Sequence, residues 1–137
     1  MRTTRLLGLL VVPWLTPRSA WSQSSARYWS ADLECTQARR ELPALAPAGT
    51  TLPQAIDLRS PRVPEGLPAG QEQAATLLFV VDTDGRVEPC TIQVLEETDR
   101  RWTDAAARAL VGGRFKPAAT ASEPIRFSTR QRFVAHP

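Results

Sequence analysis

The sequence predicts an α+β fold: a small three-stranded antiparallel sheet packed by one helix, in the order β-β-α-β, after an irregular, proline-rich N-terminal segment. Three observations carry the prediction. Two apolar runs of strand length, from about Gln73 and from about Arg86 to Leu95, are joined by Asp82-Thr83-Asp84-Gly85. Trp102, Ala106, Ala109 and Leu110 recur at helical spacing ahead of Gly112-Gly113. Residues 124–134 alternate apolar and polar side chains with period two.

Each element has its own warrant. In the first strand Ala75, Leu77, Phe79 and Val81 alternate with Thr76, Leu78 and Val80, so both faces are apolar and the strand is expected to be central or covered on both sides. Asp84-Gly85 supplies the backbone freedom that a tight hairpin turn requires. The Asp82 and Asp84 carboxylates suggest a calcium loop, but its ligand pattern does not continue beyond Gly85. In the second strand Cys90, Ile92 and Val94 share one face, Thr91, Gln93 and Leu95 the other, and Pro89 marks a bulge or an unpaired edge position. Asp99 is placed to cap a helix from about Arg100, with Trp102, Ala106, Ala109 and Leu110 facing the sheet and Thr103, Asp104 and Arg108 facing away. In the third strand Ile125, Phe127, Thr129, Gln131 and Phe133 form the buried face, and Arg126, Ser128, Arg130 and Arg132 the wet one.

The preceding residues divide into two parts. Residues 1–22 have the layout of a secretory signal peptide: Arg2 and Arg5, the apolar stretch Leu6–Leu15, then Ala20-Trp21-Ser22 as a cleavage site. The alternative is an uncleaved inner-membrane anchor, but the stretch is about half the roughly 20 residues a spanning helix needs. Residues 23–62 are expected to hold a short amphipathic helix around Trp29, Leu33, Gln37 and Arg40, capped by Ser30 and ended by Pro43 and Pro47. A proline- and glycine-punctuated stretch follows, with at most one brief strand or turn within Thr51–Arg59. Residues 63–137 make up the folded domain.

Charge and chemistry narrow the function. The precursor has a net charge of +3. Removing Arg2, Arg5 and Arg18 with the leader leaves 14 basic residues against 14 acidic, so no sustained basic face for nucleic acid is expected. Two cysteines in an exported chain predict a Cys35–Cys90 bridge. The alternative is two free thiols, with Cys90 a small apolar strand residue. No catalytic residue is assigned. One histidine, His136, stands near the end of the chain, and no acid pair, glycine-rich phosphate loop or zinc spacing accompanies it. No cofactor, metal or small-molecule substrate is expected.

The segments Leu77–Asp82, Asp84-Gly85-Arg86-Val87, Asp104–Leu110, Arg114-Phe115-Lys116-Pro117 and a closing strand ending Arg132-Phe133 stand in an order that resembles the C-terminal domain of TonB, the periplasmic energy transducer of Gram-negative bacteria. Two positions depart from that pattern. Val63-Pro64 stands for the usual Tyr-Pro, and Trp102 for the Leu that commonly begins the helical stripe. The membrane anchor and the long Pro/Lys-rich stalk of a full transducer have no counterpart here, so energy coupling is not part of the expectation. The resemblance implies a periplasmic protein-binding domain. Its edge strand (Ile125, Arg126, Phe127, Ser128, Thr129, Arg130, Gln131, Arg132 and Phe133) would accept an extended TonB-box-like peptide of an outer-membrane TonB-dependent transporter or another envelope protein. The three arginines would steer acidic peptide ends. The alternative is a structural or assembly module of an envelope complex, a homodimer among its forms, with the Cys-bearing N-terminal segment covering the edge strand.

Overall fold

The computed structural model describes residues 27–29, 34–121 and 123–137. The expected signal peptide, Ser30 and Leu33 lie outside the described residues. In chain order the elements are β1 (Arg27–Tyr28), a 3-10 turn at Ala38–Arg40, β2 (Gln54–Asp57) and β3 (Gln73–Val81). A second 3-10 turn at Pro89–Thr91 leads into β4 (Gln93–Glu97), then α1 (Arg100–Val111). Four strands follow: β5 (Arg114–Lys116), β6 (Ala118–Thr120), β7 (Glu123–Ile125) and β8 (Phe127–Ala135).

The fold is α+β, and the three-stranded sheet of the sequence reading is corrected. The main antiparallel sheet has four strands in the order β1-β4-β3-β8, and two ribbons, β2–β5 and β6–β7, stand beside it. The fourth strand is β1, whose two residues pair with Val94 and Gln93. A strand that short has no periodicity to read. The expected helix around Trp29 is replaced, among the described residues, by this strand and one 3-10 turn. Trp29 is buried in the core, donating its backbone N–H to Ile92 at 2.9 Å and its indole N–H to Asp104 at 3.1 Å.

β3 is central and buried on both faces, as its two apolar sets require. Its odd-numbered side chains Ala75, Leu77, Phe79 and Val81 join Ile92, Trp102, Ala106, Leu110 and Phe133 in one core under the helix. Asp99 caps α1 by accepting from the Arg101 backbone N–H at 2.9 Å. Thr103 was expected to face away but is fully buried, its hydroxyl bonded to the Asp99 carbonyl at 3.3 Å. Asp104 likewise does not turn simply to solvent, since it accepts from Trp29. The buried side of α1 is wider than one stripe, and Trp29 of the N-terminal segment bonds Asp104 on its flank.

The second strand does not run unbroken from Arg86. Val87 makes an isolated bridge to Val81, and Pro89 opens the 3-10 turn instead of a simple bulge. The Thr91 hydroxyl there accepts the Val80 N–H at 3.0 Å, standing in for the backbone carbonyl that a regular ladder would supply. The bulge comes later, between Thr76 and Leu77, where Leu95 is left over. Cys35 and Cys90 are disulfide-bonded, with Cα atoms 5.5 Å apart. The bridge fastens the N-terminal segment to the 3-10 turn just before β4.

Candidate functional site

The third predicted strand divides at Arg126. Ile125 pairs with Ala118 in the β6–β7 ribbon, and β8 begins at Phe127. β8 pairs with β3 through nine residues, Gln73↔Ala135 to Val81↔Phe127, and has no strand on its other side among the described residues. The opposite edge of the sheet is the one the N-terminal segment covers, through β1 on β4. Among the described residues, the Cys-bearing segment adds its strand at the β4 edge and none at β8, and its disulfide partner lies on the β4 side.

The register fixes which backbone groups of β8 face outward. The Ala74 carbonyl accepts from the Thr98 N–H and the Ala74 N–H donates to the Thr98 hydroxyl, at 3.0 Å each, and Val80 accepts from the Glu88 N–H at 2.9 Å, so the even-numbered residues of β3 bond toward β4. In an antiparallel ladder, alternate residues bond to alternate sides. The odd-numbered residues of β3 therefore bond toward β8, to Phe127, Thr129, Gln131, Phe133 and Ala135. Ser128, Arg130, Arg132 and Val134 direct their N–H and C=O groups away from the sheet. The Trp102 indole donates to the Phe133 carbonyl at 3.2 Å. That oxygen is among the inward-bonding acceptors. Of the outward set, the Arg132 carbonyl accepts from the Gln131 side-chain amide at 3.2 Å, and the rest have no partner among the described residues.

Burial along β8 differs from the expected alternation. Phe133 is buried, Phe127 and Thr129 are half-buried, and Gln131 is exposed. The helix lies chiefly over β3 and β4 and reaches β8 only near its end, where Trp102 meets Phe133.

The three arginines have separate environments. Arg126 is gripped by both carboxylate oxygens of Glu88, at 2.9 and 3.1 Å, and donates to the Glu41 carbonyl at 3.2 Å. Arg132 reaches Glu72 and Glu96, each at 3.4 Å, on the sheet face away from the helix. The Thr76 hydroxyl and Arg132 hold the Glu96 carboxyl below the usual carboxylate range. Arg130 is exposed and makes no ion pair among the described residues. Of the three, it alone has no carboxylate partner among the described residues.

The expected strand ran to Val134, but the expected site residues ended at Phe133 and left out Val134 and the segment Leu58–Val63, which flanks the end of β8. Val134 belongs to the outward-bonding set, and the alternation in the sequence contained it. The flanking segment has no local signal, because its position follows from the β2–β5 pairing that precedes it.

No family model matches the chain, and no curated protein does. Among solved structures, the solution NMR structure of Pseudomonas aeruginosa TonB CTD is similar to it at 27% identity, covering 60% of this chain and 83% of that chain, with a TM-score of 0.47.

Proposed function

We propose that this chain is a periplasmic, non-enzymatic protein-binding module that adds an extended segment of an envelope partner to β8, the partner being an outer-membrane TonB-dependent transporter or a protein of similar display. One observation carries the reading: β8 is a nine-residue strand, hydrogen-bonded along one side and without a strand on the other among the described residues. Such an edge gives an incoming strand main-chain hydrogen bonds at once, and alternate side chains give it specificity. The order of segments that resembles the TonB C-terminal domain supports the same use. The Leu6–Leu15 stretch and the Cys35–Cys90 bridge support export to an oxidising compartment. Arg130 adds a preference for an acidic residue beside it.

The second reading is a structural module that pairs β8 with β8 of another copy. An antiparallel self-pairing brings Arg130 and Arg132 of one copy against those of the other. Like charges facing each other across a ladder are unfavourable, which leaves the hetero-partner reading ahead.

The test is a titration of the isotope-labelled chain with capped extended peptides of alternating threonine and glutamate. Shifts concentrated at the amides of Ser128, Arg130 and Arg132 are expected. Slow hydrogen exchange at those three amides before any peptide is added, with no shift on titration, overturns the proposal and supports self-pairing. Sedimentation would then show a dimer.

A further inference from the structure

Beside the end of β8, a cleft of about 390 Å³ is lined by Leu58, Pro61 and Val63, by Trp102 from α1, and by Phe133 and Val134. Its apolar lining comes from three separate stretches of chain. Val63 is 46% exposed and Val134 39%, while Trp102 and Phe133 are nearly covered, so the cleft is open at the top and firm at its base. Val134 carries the last of the outward-facing backbone pairs of β8. The cleft is therefore continuous with the edge that an added strand would follow, which identifies its occupant as an extended peptide rather than a compact ligand.

We propose that this cleft is a side-chain pocket that selects a bulky apolar residue at one position of the strand bound on β8. The inference rests on the edge-strand reading above and goes further by assigning a specificity site. The geometry selects the position. Phe133 bonds inward to Ala75, so a residue standing opposite it on an added strand forms a non-hydrogen-bonded pair, the closer of the two antiparallel pair types. Side chains paired directly across strands share one face of the sheet. The Phe133 side chain lies on the helix side with Trp102, so the opposing side chain also enters on that side, against the Leu58–Val63 segment. A leucine, isoleucine or phenylalanine fits such a lining. A cationic side chain does not, because the Arg59 guanidinium also borders the cleft. Trp102 gives the pocket a flat, rigid base whose indole N–H is already committed to the Phe133 carbonyl, so the base offers carbon surface and no competing donor.

The test uses capped peptides of alternating threonine and glutamate in which one leucine is walked through the threonine positions, with alanine at the same position as reference. At one position leucine is expected to bind about tenfold tighter than alanine, from partial burial of its additional carbons. That peptide is expected to shift the Trp102 indole N–H and the Val63 amide together with the β8 amides. Val63→Asp, at an exposed site, is expected to erase the leucine preference and leave the alanine peptide bound as before. Val111→Asp, exposed on α1, serves as the control and changes neither. If the peptides shift Ser128, Arg130 and Arg132 with no leucine preference, and Val63→Asp changes nothing, the pocket is overturned while edge binding stands. If no peptide shifts β8, both readings fall. If Val63→Asp converts a dimer to a monomer in sedimentation, the cleft is an interface between copies and the pocket is again overturned.

Discussion

At the residue scale, a few side chains carry obligations that their neighbours do not share. Gly85 has φ of +80°, and a Cβ placed there would run into the Phe115 carbonyl, because Phe115 donates its N–H to the Gly85 oxygen at 2.8 Å. The hairpin turn and the Arg-Phe-Lys-Pro segment are therefore one unit, which the sequence showed as two motifs some 30 residues apart. Gly85→Ala combines left-handed strain with a backbone clash and is expected to cost more than about 2 kcal/mol in urea unfolding. Gly70→Ala has the same positive φ without the clash and is expected to cost less. Asp99 is a pH-dependent case. Side-chain and backbone hydrogen bonds from Arg101 hold its carboxyl below the usual aspartate range. A depressed folded value means that its contribution is complete above the unfolded value and lost as pH falls through the folded one. Asp99→Asn is therefore expected to flatten the acid limb of the stability–pH curve in that window, as followed by thermal melts from neutral pH downward.

At the element scale, β8 shows what the sequence could and could not reveal. The alternation of Ile125 to Phe133 announced a strand with one wet face, and that strand exists from Phe127. The alternation could not show the break at Arg126, which arises because Glu88 and the Glu41 carbonyl hold its side chain while Ile125 turns to Ala118. Nor could it show which backbone groups face outward, because that depends on the β3 register and not on side-chain polarity. The register yields a parity prediction. Pro at position 130 removes an outward N–H, and Pro at position 129 removes one bonded to Phe79. Proline is tolerated at edge positions whose N–H faces solvent and disrupts a ladder elsewhere. Thr129→Pro is expected to destabilise the fold by about 2 kcal/mol or more, from a broken ladder bond and an unpaired Phe79 carbonyl. Arg130→Pro is expected to unfold at nearly the denaturant concentration of the parent chain while abolishing peptide-induced shifts. The reverse ranking would mean that the outward set is Thr129, Gln131 and Phe133.

At the scale of the whole molecule, the legible part was the β-turn-β-α unit, whose elements lie close in sequence and whose patterns are local. The strap was not legible. Two residues of strand and one indole in the core hold Arg27 to Trp29 at the far edge of the sheet, one disulfide holds Cys35 beside it, and each is specified by a distant partner: Val94, Asp104 and Cys90. The two edges are thus treated differently: β1 pairs on one, and the other carries no strand among the described residues. The disulfide closes a loop across a sequence separation of 55, for which the chain-entropy model gives roughly 4 kcal/mol as an upper figure. Replacing both cysteines by serine is expected to lower unfolding stability by about 2–4 kcal/mol. The location of the effect is more diagnostic than its size. Trp29 still anchors β1, but its C-terminal tether is gone, so β4 regains an edge that opens locally at a lower free energy than the rest of the sheet. Hydrogen exchange is therefore expected to quicken first at Trp29, whose N–H bonds Ile92, and along Gln93 to Glu97. The inward-bonded amides of β8, at Phe127, Thr129 and Gln131, would change only by the global loss. Uniform acceleration through β3, β4 and β8 would instead show that the strap stabilises the whole sheet and has no particular part in closing the β4 edge.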